Sequence, residues 1–400
     1  MSAWYCLRFD RHGRQSIYST GWTRGCYKSP LVTTAQVHFV FASSSLSPRL
    51  RIPQHHATRH FASASPHTVI QRAYSQLAKG KTKTFVLTGS DGNLGRVAAD
   101  FAIEILKPGD HLTLTSYNLK SIPEDVVAGW RAKGAEVVAA SYDDVEGMEK
   151  VFEGAEGVGF ISTWLFGDGR RNQARNVCAA AKAAGVKRVC YTSFVGAGCE
   201  TDVEEEIPFL PRDHHFVEKI VKESGLGYNI QRNWLYMDNI PNLFAPSWKF
   251  CGNKWLSNSH GVPGAYVARE DCSRVFAALI LGRGEPNKVY DVTGPKLVQQ
   301  KDLMQWMCEQ TGYKCEYVDM PDEELTQWWL DHGLPTDMAT GDFSQLPMKL
   351  CIGDAICCGE MLGNGSMNSV SDTVEKLTGR KPARYQEYLL KYKDLFPKPE

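Results

Sequence analysis

The sequence predicts an α/β fold: a doubly wound parallel sheet with a smaller C-terminal α/β domain. Three observations predict it. An apolar, strand-like run, Thr84-Phe85-Val86-Leu87, ends in Gly89, Gly92 and Gly95 and leads directly into an amphipathic run. Strand-like and helix-like segments then alternate from 111 to 192, the pattern of parallel β-α units. The chain has 400 residues, 43% of them hydrophobic, enough for one large core or two modest ones.

The first unit carries the strongest signal. From Leu94 to Leu106 the apolar residues Val97, Ala98, Phe101, Ile103, Ile105 and Leu106 recur at helical spacing. Strand, G-x-x-G-x-x-G turn and helix together offer free backbone N–H groups and a helix N-terminus to a pyrophosphate. Gly89 makes the sharp turn, Gly92 lets phosphates approach the backbone, and Gly95 lets the helix pack closely. Ser90, Asp91, Asn93 and Leu94 complete the candidate phosphate loop. A plain strand–turn–helix is the alternative reading of the same glycines.

The later elements follow in order. Residues 111–116 read as a second strand, 122–133 as a helix, 135–140 as a third strand and 145–152 as a helix. Residues 157–162 read as a fourth strand, 172–184 as an Ala-rich helix closed by Gly185, and 186–192 as a fifth strand. Ligands on such sheets bind at the carboxyl ends of the strands. That rule nominates Gly89–Gly95, 116–120, Ser141 with Tyr142, 162–165 and 192–194. The nucleotide-binding part is expected over 82–232 and a smaller substrate-binding part, interleaved with it, over 233–395. In the latter, 271–280, 302–311 and 372–378 read as helices and 288–293 as a strand. The stretch 341–368, rich in Gly, Met and Cys, shows no strong period and is expected to be a mobile segment or a lid over the pocket. Trp234, Tyr236, Phe244, Trp248, Phe250, Trp255, Trp306, Trp328 and Trp329 either line a pocket for a flat conjugated molecule or fill a core.

Composition narrows the function classes. The formal net charge is zero, so no nucleic-acid footprint is predicted. No run of ~18 apolar residues predicts a membrane span. The 12 cysteines are scattered and form no C-x-x-C pair, so no metal site is predicted and reduced thiols are expected. Residues 1–80 stand apart. They carry Arg8, Arg11, Arg14, Arg24, Arg49, Arg51, Arg59 and Arg72, many Ser, Thr and His, and one acid, Asp10. That is the composition of an organelle transit peptide. Arg59-His60-Phe61-Ala62-Ser63 and Arg72-Ala73-Tyr74-Ser75 resemble mitochondrial processing sites, so a mitochondrial address is expected. A disordered tail and a cytoplasmic protein are the alternative.

The end of the second strand chooses between cofactors. An acid there would bind the adenosine ribose of NAD, and a base would meet the 2′-phosphate of NADP. Here stand Ser116, Tyr117, Asn118, Leu119 and Lys120. The absence of an acid favours NADP(H), with NAD(H) an alternative.

A family resemblance rests on an ordered set of residues through 82–395. The glycine turn is followed by Gly134-Ala135-Glu136-Val137-Val138 and Tyr142-Asp143-Asp144. Ala179 to Val189 (AAAKAAGVKRV) leads to Tyr191-Thr192-Ser193. Asp213-His214, Glu218-Lys219, Ser224-Gly225-Leu226 and Arg232-Asn233-Trp234 come next, with Tyr236 and Asn239. Ala265 to Asp271 (AYVARED), Tyr290 to Pro295 (YDVTGP) and Val374 to Pro382 (VEKLTGRKP) complete it. In these the chain resembles the NmrA-like branch of the atypical short-chain dehydrogenases, within it the bacterial quinone-reductase and triphenylmethane-reductase type. The resemblance implies a Rossmann NAD(P)-binding domain and a smaller domain covering the nicotinamide. It places cofactor contacts on the glycine turn, Tyr117, Asn118, Lys120, Ser141, Tyr142, Thr163, Trp164, Arg175, His214, Tyr236 and Asn239. Tyr117 stands where many relatives have arginine, and His214 where some have lysine.

Many short-chain dehydrogenases use a Tyr-x-x-x-Lys pair, in which tyrosine donates a proton and lysine lowers its pKa. No such pair follows Ser193 at the expected distance. His215-x-x-x-Lys219 has the spacing without the phenol. The resemblance places His214 and Tyr236 at the pocket, and with Lys219 they are the candidate catalytic residues. A site with so little acid–base equipment suits hydride delivery to a quinone-like or other conjugated acceptor, with protons taken from water. A non-catalytic NADP-binding regulator of the NmrA type is the second reading.

Overall fold

The computed structural model describes residues 82–399 and the short antiparallel pairing of Arg8–Phe9 with Gln15–Ser16. The two processing-like motifs, 59–63 and 72–75, lie outside the described residues. The strands are β1 (Thr84–Leu87), β2 (His111–Ser116), β3 (Glu136–Ala139), β4 (Ala155–Phe160), β5 (Arg188–Phe194), β6 (Gly227–Asn233), β7 (Lys254–Ser257), β8 (Lys288–Val292) and β9 (Glu316–Asp319). Seven of them form one parallel sheet in the order β8-β6-β5-β4-β1-β2-β3. The remaining two, β7 and β9, pair in parallel as a small separate sheet. The order reverses beside β1, so the topological switch point lies at the end of the strand that carries the glycine turn.

The helices are α1 (Asn93–Ile105), α2 (Glu124–Ala132), α3 (Val145–Phe152), α4 (Asp168–Ala183), α5 (Phe209–Glu223), α6 (Ala245–Phe250), α7 (Arg269–Ile280), α8 (Gln300–Glu309), α9 (Asp322–Asp331), α10 (Ile352–Gly363), α11 (Thr373–Thr378) and α12 (Tyr385–Leu389). Alternation along β1 explains the two layers. Phe85 and Leu87 face a core shared with α1, α2 and α7, whereas Val86 faces one shared with α3, α4 and α5. On β4, side chains are absent where α7 needs room. A Cβ on Gly157 would lie 2.6 Å from the Ile280 carbonyl oxygen, and one on Gly159 would overlap the Ile280 side chain.

The later part of the chain returns to the first body. Its strand β8 extends the main sheet by pairing with β6, Lys288 opposite Asn229 through Val292 opposite Asn233. The aperiodic reading of 341–368 is corrected: residues Ile352–Gly363 form α10, which buries Asp354, Ala355, Cys357, Cys358, Met361 and Leu362, and this stretch lines the cleft through Leu350, Asp354 and Cys358. Its N-terminus is boxed, the Cys351 N–H and thiol both donating to the Asp354 carboxylate. A thiol in the capping position and interior glycines hid this helix from a pattern search. The first turn of α4 also begins earlier than the expected residue 172, at Asp168. No helix among the described residues is long and apolar enough to cross a membrane.

Candidate active site

A cleft of about 770 Å³ runs across the carboxyl ends of the strands, from the glycine turn to α10. Each glycine of the turn has its own physical reason. Gly89 has φ +67°, and a Cβ on Gly95 would overlap the Gly89 carbonyl. Gly92 differs: the nearest protein atom to a Cβ there would be the Gly89 oxygen, at 3.6 Å. Packing alone therefore does not demand glycine at this position, which lines the cleft. Behind it, α1 begins with no side-chain cap and no acid in its first turn. Its free N–H groups and the positive end of its dipole are available to an anion. A bare approach to an uncapped helix end fits a dinucleotide pyrophosphate. Asn93 and Leu94 also line the cleft, while Ser90 is buried, its hydroxyl donating to the Thr115 carbonyl at 2.8 Å.

At the end of β2, Tyr117 is 74% exposed. The Asn118 N–H donates to Ser116 Oγ at 2.9 Å, and Asn118 Oδ1 accepts from the Lys120 N–H at 3.2 Å. Arg96 ties this loop to the glycine turn, its Nε donating to the Asp91 carbonyl at 3.2 Å and its Nη2 to the Ser121 carbonyl at 2.8 Å. Sequence reasoning missed Arg96, because an arginine one residue past the turn carries no signal of which loop it reaches. Ser141 accepts from the Asp143 N–H at 3.2 Å. The Tyr142 hydroxyl bonds Thr88 Oγ1 and donates to the Ile161 carbonyl at 3.1 Å, bracing the strand ends. Burial pushes its phenol well above the usual value, so it stays protonated.

Deeper in the cleft, His214 is brought up by α5. Its Nδ1 lies 2.8 Å from the Tyr191 hydroxyl, and its ring stacks against Phe194 with centroids 6.1 Å apart. Burial, aided by the charge of Arg170, holds its pKa well below the ordinary histidine value, so the imidazole is neutral. Tyr236 lines the cleft and accepts from Asn233 Nδ2 at 2.8 Å. The Arg269 guanidinium lies 4.0 Å from its ring centroid and also donates to Asp238 Oδ2 and Asn239 Oδ1, each at 2.8 Å. Burial pushes the Tyr236 phenol up, which disfavours a phenolate. Asn239 precedes a π-wound turn, Ile240–Phe244, that contributes Asn242, Leu243 and Phe244 to the wall. Thr163 and Trp164 line the rim, Trp164 being 70% exposed.

Of the nominated residues, Gly89, Ser90, Asp91, Tyr117, Asn118, Lys120, Ser141 and Tyr142 stand beside the cleft rather than lining it, and Lys219 and Arg175 are also outside it. Lys219 is paired with Asp202 at 2.6 Å on the exposed side of α5. Five positions after His214, it lies roughly 140° around the helix from it. Arg175 is exposed on α4, donating to Asn172 Oδ1 at 2.7 Å. His215 also turns away, toward the Ala197 carbonyl at 3.0 Å and Asp202 at 2.8 Å. Of the aromatics, Tyr236 and Phe244 reach the cleft, while Trp234, Trp248 and Trp255 are core, the last two stacked at 5.2 Å. A second missed residue is Arg170, in the first turn of α4, buried at the cleft wall beside Phe166.

Comparison with known proteins agrees with this geometry. The chain is 26% identical over 262 residues to quinone oxidoreductase 2 of Escherichia coli (strain K12), covering 63% of this chain and 83% of that protein. It is 28% identical over 244 residues to an NmrA-like family domain-containing oxidoreductase of Aspergillus flavus, 60% of this chain and 75% of that one. The fold is shared with an NADPH-dependent quinone oxidoreductase from E. coli complexed with NADPH (TM-score 0.61, 24% identity, 77% of this chain and 99% of that one). It is also shared with triphenylmethane reductase of Citrobacter sp. complexed with NADP(H) (TM-score 0.60, 21% identity, 77% and 99%). The NmrA-like family model matches residues 81–343. With a parallel sheet of this order, a glycine turn open to the cleft and that match, the chain belongs to the NmrA-like family.

Proposed function

We propose that this protein is an NADP(H)-dependent oxidoreductase that reduces a quinone-like or other conjugated small molecule. The observation that carries the reading is Gly92: a side chain there would meet little protein, yet the position is bare and faces an uncapped helix end in the cleft. The names of the relatives support it, among them quinone oxidoreductase 2 and a furanone phosphate reductase of Streptomyces griseus, as do the complexes of fold neighbours with NADPH and NADP(H).

The chemistry a bound NADPH supplies is hydride transfer. The glycine turn and the N-terminus of α1 would hold the pyrophosphate. Arg96 and Lys120 flank the place where a 2′-phosphate would sit and supply positive charge there, in the absence of an acid at the end of β2. Thr163, Tyr236 and Asn239 line the path toward the reacting end. Neutral His214 offers a hydrogen bond without a formal charge. Phe166, Phe194, Leu210, Phe244 and Leu350 exclude water and suit a flat acceptor.

The test uses the full chain and a form starting at Ser75. NADPH and NADH are titrated by fluorescence, then quinones are added and the nicotinamide absorbance is followed. Binding with turnover supports the reading. Tight binding of oxidised cofactor with no turnover of any acceptor would put the regulator reading in its place. The acid-poor, Arg-rich leader supports a mitochondrial address within the same proposal. A fusion of residues 1–80 to a fluorescent protein tests it, and diffuse fluorescence would overturn it.

A further inference from the structure

We infer that Arg170 is the anion-stabilising residue of the acceptor site, and that the preferred acceptors carry an acidic hydroxyl beside the conjugated carbonyl. This rests on the reductase reading above.

Arg170 is 6% exposed and lines the cleft. Its Nη2 donates to the Thr163 carbonyl at 2.9 Å, and its buried Nε has no partner. The other charged residues lining the cleft are matched: Asp238 pairs with Arg269 at 2.8 Å, and Glu270 pairs with Arg274 at 3.0 Å and Lys391 at 2.7 Å. Asp354 is taken by the Cys351 N–H and thiol; burial pushes its carboxyl upward, against those hydrogen bonds and the through-space pull of Arg170. Among the described residues, no carboxylate forms an ion pair with Arg170. A buried guanidinium with no carboxylate in direct contact and a free N–H is costly, and an anionic ligand would offset that cost. Around it lie Phe166, 5.3 Å from the guanidinium carbon, and neutral His214. An aromatic wall with one cation free of any carboxylate in direct contact suits a flat, delocalised anion.

The chemistry creates such an anion. Hydride addition to a conjugated carbonyl compound forms one C–H bond and breaks one π bond. The displaced electron pair moves to the carbonyl oxygen, the nicotinamide is left oxidised, and the oxygen stays anionic until water protonates it. A guanidinium fixed beside that oxygen stabilises the charge as it develops. It takes over the work of the missing Tyr-x-x-x-Lys pair.

The probe is 5-hydroxy-1,4-naphthoquinone, a weakly acidic phenol beside the conjugated carbonyl whose absorbance reports its ionisation at a pH where the protein is folded, with 1,4-naphthoquinone as the neutral control. In wild-type protein, with and without NADP⁺, the bound hydroxyl is expected to ionise roughly 1–2 pH units lower than in water. Arg170→Met is expected to weaken binding of the anion about 10- to 100-fold, and to leave NADPH affinity and the 1,4-naphthoquinone affinity within about 3-fold. Its kcat for 1,4-naphthoquinone is expected to fall about 100-fold, and Arg170→Lys is expected to restore part of the anion binding. The inference is overturned if the bound hydroxyl ionises at or above its free value, or if Arg170→Met binds the anion as wild type does. If the Met variant does not fold, the wild-type ionisation shift decides alone. Failure of the reductase reading shows separately, as absent NADPH binding or turnover in wild type.

Discussion

Gly92 is the position where a single side chain separates binding from folding. A Cβ there meets only the Gly89 oxygen at 3.6 Å, so Gly92→Asp is expected to fold with a melting temperature within a few degrees of wild type. Its carboxylate would stand in the phosphate approach and lower NADPH affinity by about 100-fold or more. A fluorescence titration beside a thermal melt checks both, and unchanged affinity would move the site elsewhere. Gly95→Ala should fail the other way, losing stability, because its Cβ would overlap the Gly89 carbonyl. Tyr117 is exposed at the end of β2, so Tyr117→Arg is expected to raise the NADPH-over-NADH affinity ratio roughly tenfold. A flat ratio in paired titrations would show that this loop does not meet the 2′ position. The turn was legible in the sequence because three glycines stand at fixed spacing between a strand and a helix; Gly89 and Gly95 answer demands of the fold, and Gly92 keeps the cleft side bare. Arg96 and Arg170 were not, because an arginine on a helix discloses its target only once the start of that helix and its neighbours are fixed. His214 and His215 show the same limit: adjacent in sequence, they sit about 100° apart on α5, and only one faces the cleft.

Among the elements, the β-α alternation of the first half was readable from period alone, since buried parallel strands and amphipathic helices differ in both length and pattern. The later half was harder. Its helix α10 has Gly, Cys and Met where a pattern search expects Leu and Ala, and its cap is a cysteine. The seating of α7 on β4 depends on Gly157 and Gly159, whose value appears only when the far helix is in place. Gly159→Val is expected to destabilise the protein by about 1–3 kcal/mol through overpacking against Ile280. Urea unfolding measures it, and an unmoved midpoint would mean that α7 can slide off the strand freely.

For the whole protein, two buried groups link its behaviour to pH. Burial alone would raise Glu218, but Arg232, bonded to both of its carboxylate oxygens at 2.8 and 2.7 Å, and Lys222 at 2.9 Å hold it below the usual glutamate range. Its contribution is therefore present above the unfolded value of 4.5 and lost as the pH falls through the lower folded value. Glu218→Gln should be less stable than wild type at neutral pH and converge with it in acid. Parallel loss at every pH would assign the difference to packing. His214, held neutral, should leave no limb near pH 6.5 in kcat/KM; a limb there that disappears in His214→Gln would contradict the burial described for it. The edge strand β8 also bears on how the chain is made. Residues 288–292 add the outermost strand beyond β6, so a ribosome that has released only as far as residue 233 holds a sheet one strand short, with the backbone of β6 unpaired on that side. The face awaiting α7 is bare at that moment too. The nascent chain must stay clear of its neighbours until β8 emerges, and a fragment ending at 233 should precipitate rather than fold as a small nucleotide-binding domain.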